Sequence, residues 1–272
     1  MADTEHQAIS RVALFGGVYS NYLALEAAIE DARSRGVDAM YCLGDLGAFG
    51  PYPDRVFPLL VENEIATVQG NYDHSIGNRR PDCACGYTDP RDNHFALISY
   101  EYTFAQTSDR WKDWMRELPP AIELDLAGHH VHLCHGSPRQ TNEFLWESTT
   151  PNPFVARLFR DLEEQGTTAD VIACTHTGLS WQRRVGDKLL VNVGVIGRPE
   201  NDGQTSVSYT ILEATKSGVS AEQIPVTYDW ERLAAEMRSE GLPEEFIATI
   251  ETGWWESCLE ILPAKERVRS KR

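Results

Sequence analysis

The 272-residue chain lacks any apolar run of the roughly 18 residues that a membrane-spanning helix needs. Its first residues, MADTEHQAIS, are polar and acidic, and they lack the basic and apolar stretches of a secretory signal peptide. We therefore expect a cytoplasmic protein that does not enter a membrane. In that reducing compartment, its six cysteines are expected to be free thiols rather than a disulfide framework.

Basic side chains are also scarce, with 25 Lys and Arg residues against 41 Asp and Glu residues and a formal net charge of −16. Five of the basic residues lie in the tail 265–272, so residues 1–264 carry 20 basic and 40 acidic side chains, a net charge of −20. Such an acidic surface repels phosphate backbones, which excludes generic binding to duplex nucleic acid. An anionic substrate would need bound cations to approach this body.

The first third of the chain alternates between strand and helix patterns. Short apolar runs over 12–15, 39–43 and 65–69 predict strands. Apolar residues at helical spacing after Asn21, a residue type that caps helices, and again over 54–62 predict the helices between them. This β-α-β-α-β order predicts parallel strands covered by helices.

The remainder of the chain predicts shorter elements. They are helices over 93–104, 109–115 and 153–164, a hairpin around 127–128, strands at 171–174, 181–185, 189–192 and 207–212, and helical structure over 230–250. The chain contains neither an internal repeat nor a low-complexity linker. We therefore expect one α/β domain over 1–264, with a core over 11–213, a helical C-terminal extension over 229–264 and a basic tail over 265–272.

Polar side chains of the kind that bind metals follow four predicted strands. Asp45, Asn71 and His135 each come just after a strand, and Cys174 and His176 lie at the end of a fourth. In open α/β sheets, ligands bind at the carboxyl ends of the strands, where the loops converge. Oxygen, nitrogen and sulfur atoms gathered there would suit a transition-metal ion.

These motifs, in this order, resemble those of the calcineurin-like metallophosphoesterases, in particular the small bacterial phosphodiesterase and diadenosine-tetraphosphatase-like branch. The family pattern runs D-x-H, G-D-x-x-x-x-G-x-x-P, G-N-H-D/E, H-G and G-H-x-H. The matching stretches are 44–53 (GDLGAFGPYP), 70–73 (GNYD) and 135–138 (HGSP), and 191–199 (VNVGVIGRP) resembles the branch's N-x-G-S-V-G-x-P. The resemblance covers roughly residues 11–213. It implies a two-layered αββα sandwich with a dinuclear metal site that hydrolyses phosphoesters.

The chain departs from the family pattern at several functional positions. Gly17 stands at the Asp of D-x-H, and Tyr19 stands at its His. Cys174 replaces the first His of G-H-x-H, whereas His176 keeps the second. Tyr72 replaces a His that often donates a proton to the leaving group in the family.

The resemblance implies two ligand sets that share one carboxylate: Tyr19, Asp45 and His176 for one ion, and Asp45, Asn71, His135 and Cys174 for the other. Because Gly17 supplies no carboxylate, the first ion is either lost or is an acidic Fe³⁺ ion that Tyr19 holds as a phenolate. A thiolate at Cys174 would favour Zn²⁺ or Fe²⁺ over Mg²⁺. We therefore expect one or two divalent or trivalent ions of Fe, Zn or Mn.

Side chains would have to replace the charge of a missing ion. The candidates, by position or chemistry, are Asn21, Tyr72 and Arg198, and Asp73 and His74 would add a nearby acid/base pair. His74 also fits a solvent-exposed loop residue.

Two further features leave alternatives open. Cys83 and Cys85, in the loop after GNYD, either supply a thiolate to the site or form a plain turn. Trp254 and Trp255 lie beyond the resemblance, where they either anchor the C-terminal segment, as we expect, or form a surface for a partner.

The sequence thus predicts a metal-dependent hydrolase that cleaves a small phosphodiester or phosphomonoester with a metal-activated water. The alternative is a catalytically inactive relative that binds a phosphate-containing metabolite or a partner protein.

Overall fold

The structure is a computed structural model that describes residues 9–215 and 218–267. Its strands are β1 (Arg11–Phe15), β2 (Ala39–Cys42), β3 (Ala66–Thr67), β4 (Ala121–Leu126), β5 (His129–Cys134), β6 (Val171–Cys174), β7 (Ser180–Val185), β8 (Lys188–Val193), β9 (Val207–Thr215) and β10 (Gly218–Val226). Its helices are α1 (Tyr22–Ser34), α2 (Val56–Glu62), α3 (Asn71–Gly77), α4 (Pro90–Gln106), α5 (Asp109–Arg116), α6 (Asn152–Glu164), α7 (Trp230–Ser239), α8 (Glu244–Thr252) and α9 (Ala264–Arg267).

Two five-stranded mixed sheets have the strand orders β10-β9-β1-β2-β3 and β4-β5-β6-β8-β7. Strands β1, β2 and β3 run parallel in the first sheet, as the β-α-β-α-β pattern predicts. Strands β5, β6 and β8 run parallel in the second. A parallel bridge between Gly17 and Val195 joins the chain just beyond β1 to the chain just beyond β8. The carboxyl ends of the parallel strands of both sheets therefore meet at one edge.

Aliphatic side chains fill the space between the sheets, because alternate residues of each strand face the partner sheet. Val12 and Leu14 of β1 pack there with Val131 and Leu133 of β5. Helices α1, α2, α4, α5, α7 and α8 contribute to the core on the outer face of the first sheet, and α6 covers the second. This arrangement confirms the predicted αββα sandwich and its helical C-terminal extension.

Several elements differ from the sequence prediction, and helix α3 (Asn71–Gly77) is one that it does not contain. Strand β10 is not predicted, because it is an edge strand with polar residues on its exposed face and contains Pro225. The helical region over 230–250 is divided between α7 and α8. The break includes Gly241, which has a positive φ of 70°, and Pro243, which precedes α8.

The prediction of six free thiols is wrong for Cys83 and Cys85, which form a disulfide bond. The two cysteines are two positions apart in a turn, and their Cα atoms lie 5.2 Å from each other, which is within the range that a disulfide needs. The other four cysteines are free and buried.

The predicted basic tail over 265–272 lies outside the described residues from position 268 onward, and its first residues belong to α9. The division into one domain over 1–264 stays a prediction. Among the described residues, the structure contains no helix with the length and apolar character needed to cross a membrane.

Candidate metal centre

Four of the predicted site residues converge at the edge where the parallel strands end. Asp45 follows β2, Asn71 begins α3 just after β3, His135 follows β5 and His176 follows β6. All four side chains are buried. We call Asp45, Asn71, His135 and His176 the ligand cluster.

The Nε2 atom of His135 is the common point of the ligand cluster. It lies 3.2 Å from Asp45 Oδ2, 3.2 Å from Asn71 Oδ1 and 3.2 Å from His176 Nδ1. On the other side of the ring, Nδ1 lies 2.6 Å from the carbonyl oxygen of Leu43. Because a carbonyl only accepts hydrogen bonds, Nδ1 carries a proton, and in the neutral ring Nε2 presents its lone pair to the cluster.

These atoms fit a metal ion. Ligand atoms bound about 2.0–2.2 Å from a transition metal lie about 3–3.5 Å from one another, which matches the separations around His135 Nε2. With a neutral His135, the Nε2 lone pair would face two oxygen atoms unless a cation lies among them. The ligand cluster therefore demands a positive charge, either a metal ion or a proton.

Burial and mutual charge set the protonation of these side chains. Burial acts to raise the pKa of Asp45, but His135 and His176 bring it below its usual value. For His135, burial acts to lower the pKa, but the Asp45 carboxylate raises it overall. Burial and the neighbouring His135 lower the pKa of His176 to about 3. His176 is thus a neutral imidazole, the form that binds metals.

Unusual backbone conformations hold two of these residues. Asp45 has a φ of 55° and His176 a φ of 71°, in the left-handed region that residues other than glycine rarely adopt. The loops that carry Asp45 and Asn71 touch through glycines, since a Cβ on Gly44 would lie 2.4 Å from Gly70 N. Only residues without side chains allow this approach.

Asp73 holds the same loops together, a role that the sequence reasoning did not assign. Its carboxylate accepts hydrogen bonds from the backbone N–H groups of Asp45 and Gly70, both at 2.8 Å, and of Leu46, at 3.0 Å. Burial and repulsion from Asp45 raise the pKa of Asp73 to about 6. Its place in the GNYD motif was a visible signal, but its partners depend on the fold.

The structure does not bring Cys174 to the ligand cluster. Successive residues of β6 face opposite sides, so Ala173 points between the sheets, whereas Cys174 packs in the apolar cluster with Leu158 and Phe159 of α6. Burial raises the pKa of its thiol to about 12. His176 takes the place expected for Cys174, with its Nδ1 atom 3.2 Å from His135 Nε2. The second His of the G-H-x-H pattern then corresponds to Gly178.

The positions expected to hold the other ion are filled by different groups. A Cβ on Gly17 would lie 2.6 Å from the ring of Tyr19, so this ring occupies the space of the missing carboxylate. Burial raises the pKa of Tyr19 well above its usual value, so without a bound ion its side chain is a phenol. A Cβ on Gly178 would lie 2.8 Å from Trp255 and 3.3 Å from Arg198 Nη2.

Arg198 and three rings form an aromatic–arginine cluster. The guanidinium carbon lies 3.4 Å from the ring centroid of Trp255, 5.0 Å from that of Phe49 and 5.8 Å from that of Tyr19. The indole of Trp255 donates a hydrogen bond to the carbonyl of Pro199 at 2.7 Å. Trp255 therefore does anchor the C-terminal segment, and it does so at the site.

The other predicted catalytic residues are engaged elsewhere or exposed. Asn21 caps α1 by accepting from Ala24 N at 3.0 Å, and its amide donates to the carbonyl of Gly197 at 3.2 Å. The hydroxyl of Tyr72 donates to Ser99 Oγ at 3.0 Å, while its backbone N–H donates to Asp45 Oδ1 at 3.0 Å. His74 is exposed on α3.

The turn of Cys83 and Cys85 does reach the ligand cluster. The amide of Asn71 donates to the carbonyl of Cys83 at 2.9 Å, and its nitrogen lies 3.5 Å from Cys85 Sγ. These contacts fix the amide so that Oδ1 faces His135. Because both sulfur atoms are in the disulfide, neither is a thiolate ligand.

Comparisons with known proteins identify the family of the chain and proteins that share its fold. Residues 11–217 match the calcineurin-like phosphoesterase superfamily domain. The chain is 25% identical over 243 residues to the uncharacterized protein MJ0912 of Methanocaldococcus jannaschii, covering 86% of this chain and 95% of that one.

Two solved structures share the fold. The hypothetical protein PH1004 of Pyrococcus horikoshii OT3 has a TM-score of 0.74 at 20% identity, over 90% of this chain and 99% of that chain. A metallophosphoesterase from Sphaerobacter thermophilus has a TM-score of 0.66 at 24% identity, over 91% of this chain and all (100%) of that chain. With the match over residues 11–217, the chain belongs to the calcineurin-like phosphoesterase superfamily.

Proposed function

We propose that this protein is a hydrolase that cleaves a small phosphodiester or phosphomonoester with one transition-metal ion held by the ligand cluster. Membership of the superfamily supports a phosphoesterase role. The observation that carries the single-ion site is the set of 3.2 Å separations around His135 Nε2, with Nδ1 fixed on Leu43. The proposal includes a cytoplasmic location and no binding of duplex nucleic acid.

The nature of the donors indicates which ions fit. The ligand cluster offers one carboxylate, one amide oxygen and two imidazoles, a mixed set that suits Mn²⁺, Fe²⁺ or Zn²⁺ better than Mg²⁺ or Ca²⁺. A bound ion supplies Lewis acidity and lowers the pKa of a coordinated water. Because Cys174 packs away from the ligand cluster, the predicted preference for Zn²⁺ or Fe²⁺ over Mg²⁺ no longer rests on a sulfur ligand.

The protein's own groups prepare this site. Leu43 holds the His135 ring in one orientation through the bond to Nδ1. Tyr72 N–H holds Asp45 Oδ1, so that Oδ2 faces His135. The Asn71 amide is fixed by Cys83. These contacts organise the donor atoms before any ion binds, which reduces the entropic cost of binding.

A catalytically inactive relative that binds a phosphate compound is the second candidate. The observation in its favour is that Gly17 and Gly178 provide no ligands for a second ion. Dinuclear sites clamp both the attacking and the leaving oxygen, and a single ion gives up part of this stabilisation.

One experiment separates the two candidates. The purified protein is stripped with a chelator, reloaded separately with Mn²⁺, Fe²⁺ (without oxygen) or Zn²⁺, and analysed for metal content after desalting. Each form is assayed with bis(p-nitrophenyl) phosphate and p-nitrophenyl phosphate. We expect one ion per chain and metal-dependent turnover. One ion without turnover of either compound favours the inactive relative, and no retained ion rejects the site.

A further inference from the structure

Among the residues that the structure describes, Arg198 is a buried cation without an anionic partner. Its side chain belongs to a residue only 5% exposed, and its Nε atom has no hydrogen-bond partner among residues 9–215 and 218–267. Within the same described ranges, no carboxylate lies within 4.0 Å of its guanidinium. Burying an unpaired charge costs free energy, so such groups normally face a counter-charge.

Aromatic rings pack against the guanidinium of Arg198, but its N–H groups have no hydrogen-bond acceptor among the described residues. Trp255, Phe49 and Tyr19 interact with the guanidinium as aromatic rings, and stacking on Trp255 at 3.4 Å is the closest of these contacts. Aromatic rings stacked on a guanidinium attract its charge, but they are poor acceptors for the N–H groups that point outward in its plane. The planar N–H fork is the part of arginine that recognises the oxygen atoms of phosphate groups.

The position of Arg198 relates this free edge to the ligand cluster. Its Nη2 atom would lie 3.3 Å from a Cβ on Gly178, and Gly178 is two residues beyond His176. Tyr19, another member of the aromatic–arginine cluster, fills the space beside Gly17. The guanidinium therefore stands on the side of the ligand cluster where ligands for a second ion are missing. In a body with a net charge of −20, it is a fixed positive charge at the site.

We propose that Arg198 binds the phosphate group of the substrate and supplies the positive charge that a second metal ion supplies in dinuclear members of the superfamily. This inference deepens the proposed function and rests on it for the identity of the substrate. The phosphate group would lie between the ion of the ligand cluster and the guanidinium. The aromatic rings would hold the guanidinium in place, so that little side-chain entropy is lost on binding.

The competing explanation is that Arg198 only fastens the C-terminal segment by stacking on Trp255. A purely structural role predicts lower stability in variants of Arg198 but unchanged affinity for phosphate. The test must therefore measure anion binding directly, apart from turnover.

The probe is inorganic phosphate, titrated calorimetrically at low ionic strength into metal-free and metal-loaded protein. The variants are Arg198→Met, Arg198→Gln and Arg198→Lys. The matched control is Arg157→Met, since Arg157 is an exposed arginine on α6 that pairs with Asp161 across one helical turn. We expect Arg198→Met to lower phosphate affinity at least about tenfold in both forms, and Arg157→Met to leave it unchanged. Metal content should stay at one ion per chain in every variant.

Unchanged affinity in Arg198→Met would overturn the proposal. If Arg198→Met does not fold, the Lys and Gln variants decide, because only Lys keeps the charge. Arg198→Lys should bind phosphate at least about fivefold more tightly than Arg198→Gln, and equal affinities would overturn the proposal. A failure of the metal site is distinguishable, since loss of phosphate binding in metal-free Arg198→Met does not depend on any ion.

Discussion

The ligand cluster and the aromatic–arginine cluster lie side by side at one edge of the sandwich, and they have opposite chemistry. The first gathers oxygen and nitrogen lone pairs 3.2 Å apart around His135. The second replaces ligands by glycine and fills the space with Tyr19, Trp255 and Arg198. One demands a cation, and the other already contains one.

If the site binds one ion as proposed, this difference explains how an edge that holds two ions in dinuclear members of the superfamily can hold one ion without a change of fold. The ligand cluster takes residues from the ends of strands in both sheets, so the sandwich itself positions them. The aromatic–arginine cluster adds Trp255, which lies in the C-terminal segment beyond the superfamily match at 11–217. In the proposed one-ion site, the C-terminal extension thus contributes to the cluster that stands in place of the second ion.

The largest expected effect comes from removing the centre of the ligand cluster. His135→Ala should abolish retention of the ion and lower metal-dependent hydrolysis at least about 10³-fold, because three other donors lose their common partner. Elemental analysis and the bis(p-nitrophenyl) phosphate assay measure both effects.

His130→Ala is the matched control, since His130 is an exposed histidine on β5, just ahead of His135 in the chain. It should change neither quantity by more than about twofold. In the wild-type protein, an ion at 100 times its dissociation constant should add about 2.7 kcal/mol to the free energy of unfolding. That gain should vanish in His135→Ala, and an ion retained by this variant would contradict the assignment.

The next effect concerns stability. Asp73→Ala should lower the free energy of unfolding by roughly 3–5 kcal/mol, because it leaves three buried N–H groups around the ligand cluster without an acceptor. Urea denaturation of the metal-free protein measures this. Asp113→Ala, which removes exposed ion pairs with Arg79 and with Arg116, should cost under about 0.5 kcal/mol. Equal losses in the two variants would show that Asp73 does not hold these loops.

Much of the fold was predictable because its parallel strands carry local apolar runs. The β-α-β-α-β order and the edge where polar residues collect followed from that pattern. Strand β10 was not predicted because it lies at a sheet edge and has only one buried face. Its pairing with β9 keeps it in the sheet, and this pairing leaves no local signal in the sequence.

The site was predictable only where a motif fixes both residue and backbone. Asp45, Asn71 and His135 come just after β2, β3 and β5, so the positions of these strands in the sheets fix where the three residues lie. Cys174 and His176 could not be separated by spacing, because the choice depends on the side to which β6 turns each residue and on the left-handed turn at His176. The approach of Trp255 to Arg198 has no local signal at all.

A smaller effect is expected at Cys174. Cys174→Ala should cost about 1 kcal/mol of stability, because it opens a small cavity against α6, and it should leave metal content and metal preference unchanged. Cys134→Ala is the matched control, since Cys134 is buried in the same apolar cluster. If Cys174→Ala shifts the preference among Mn²⁺, Fe²⁺ and Zn²⁺ while Cys134→Ala does not, Cys174 reaches the ion.

The smallest effect is expected where ligands are put back. The double variant Gly17→Asp, Tyr19→His restores the D-x-H pair, and removing the Tyr19 ring clears the space that an aspartate at position 17 needs. We still expect one ion per chain at saturating metal. Position 178 offers no imidazole, and Arg198 remains beside it, so a second ion would meet a fixed positive charge where dinuclear relatives offer a ligand.

Elemental analysis of the variant, compared with wild type at the same metal concentration, gives the number of ions per chain. Two ions would mean that Gly17 and Tyr19 alone exclude the second ion and that Arg198 does not occupy its place, because a guanidinium and a metal ion cannot share a site without a carboxylate between them.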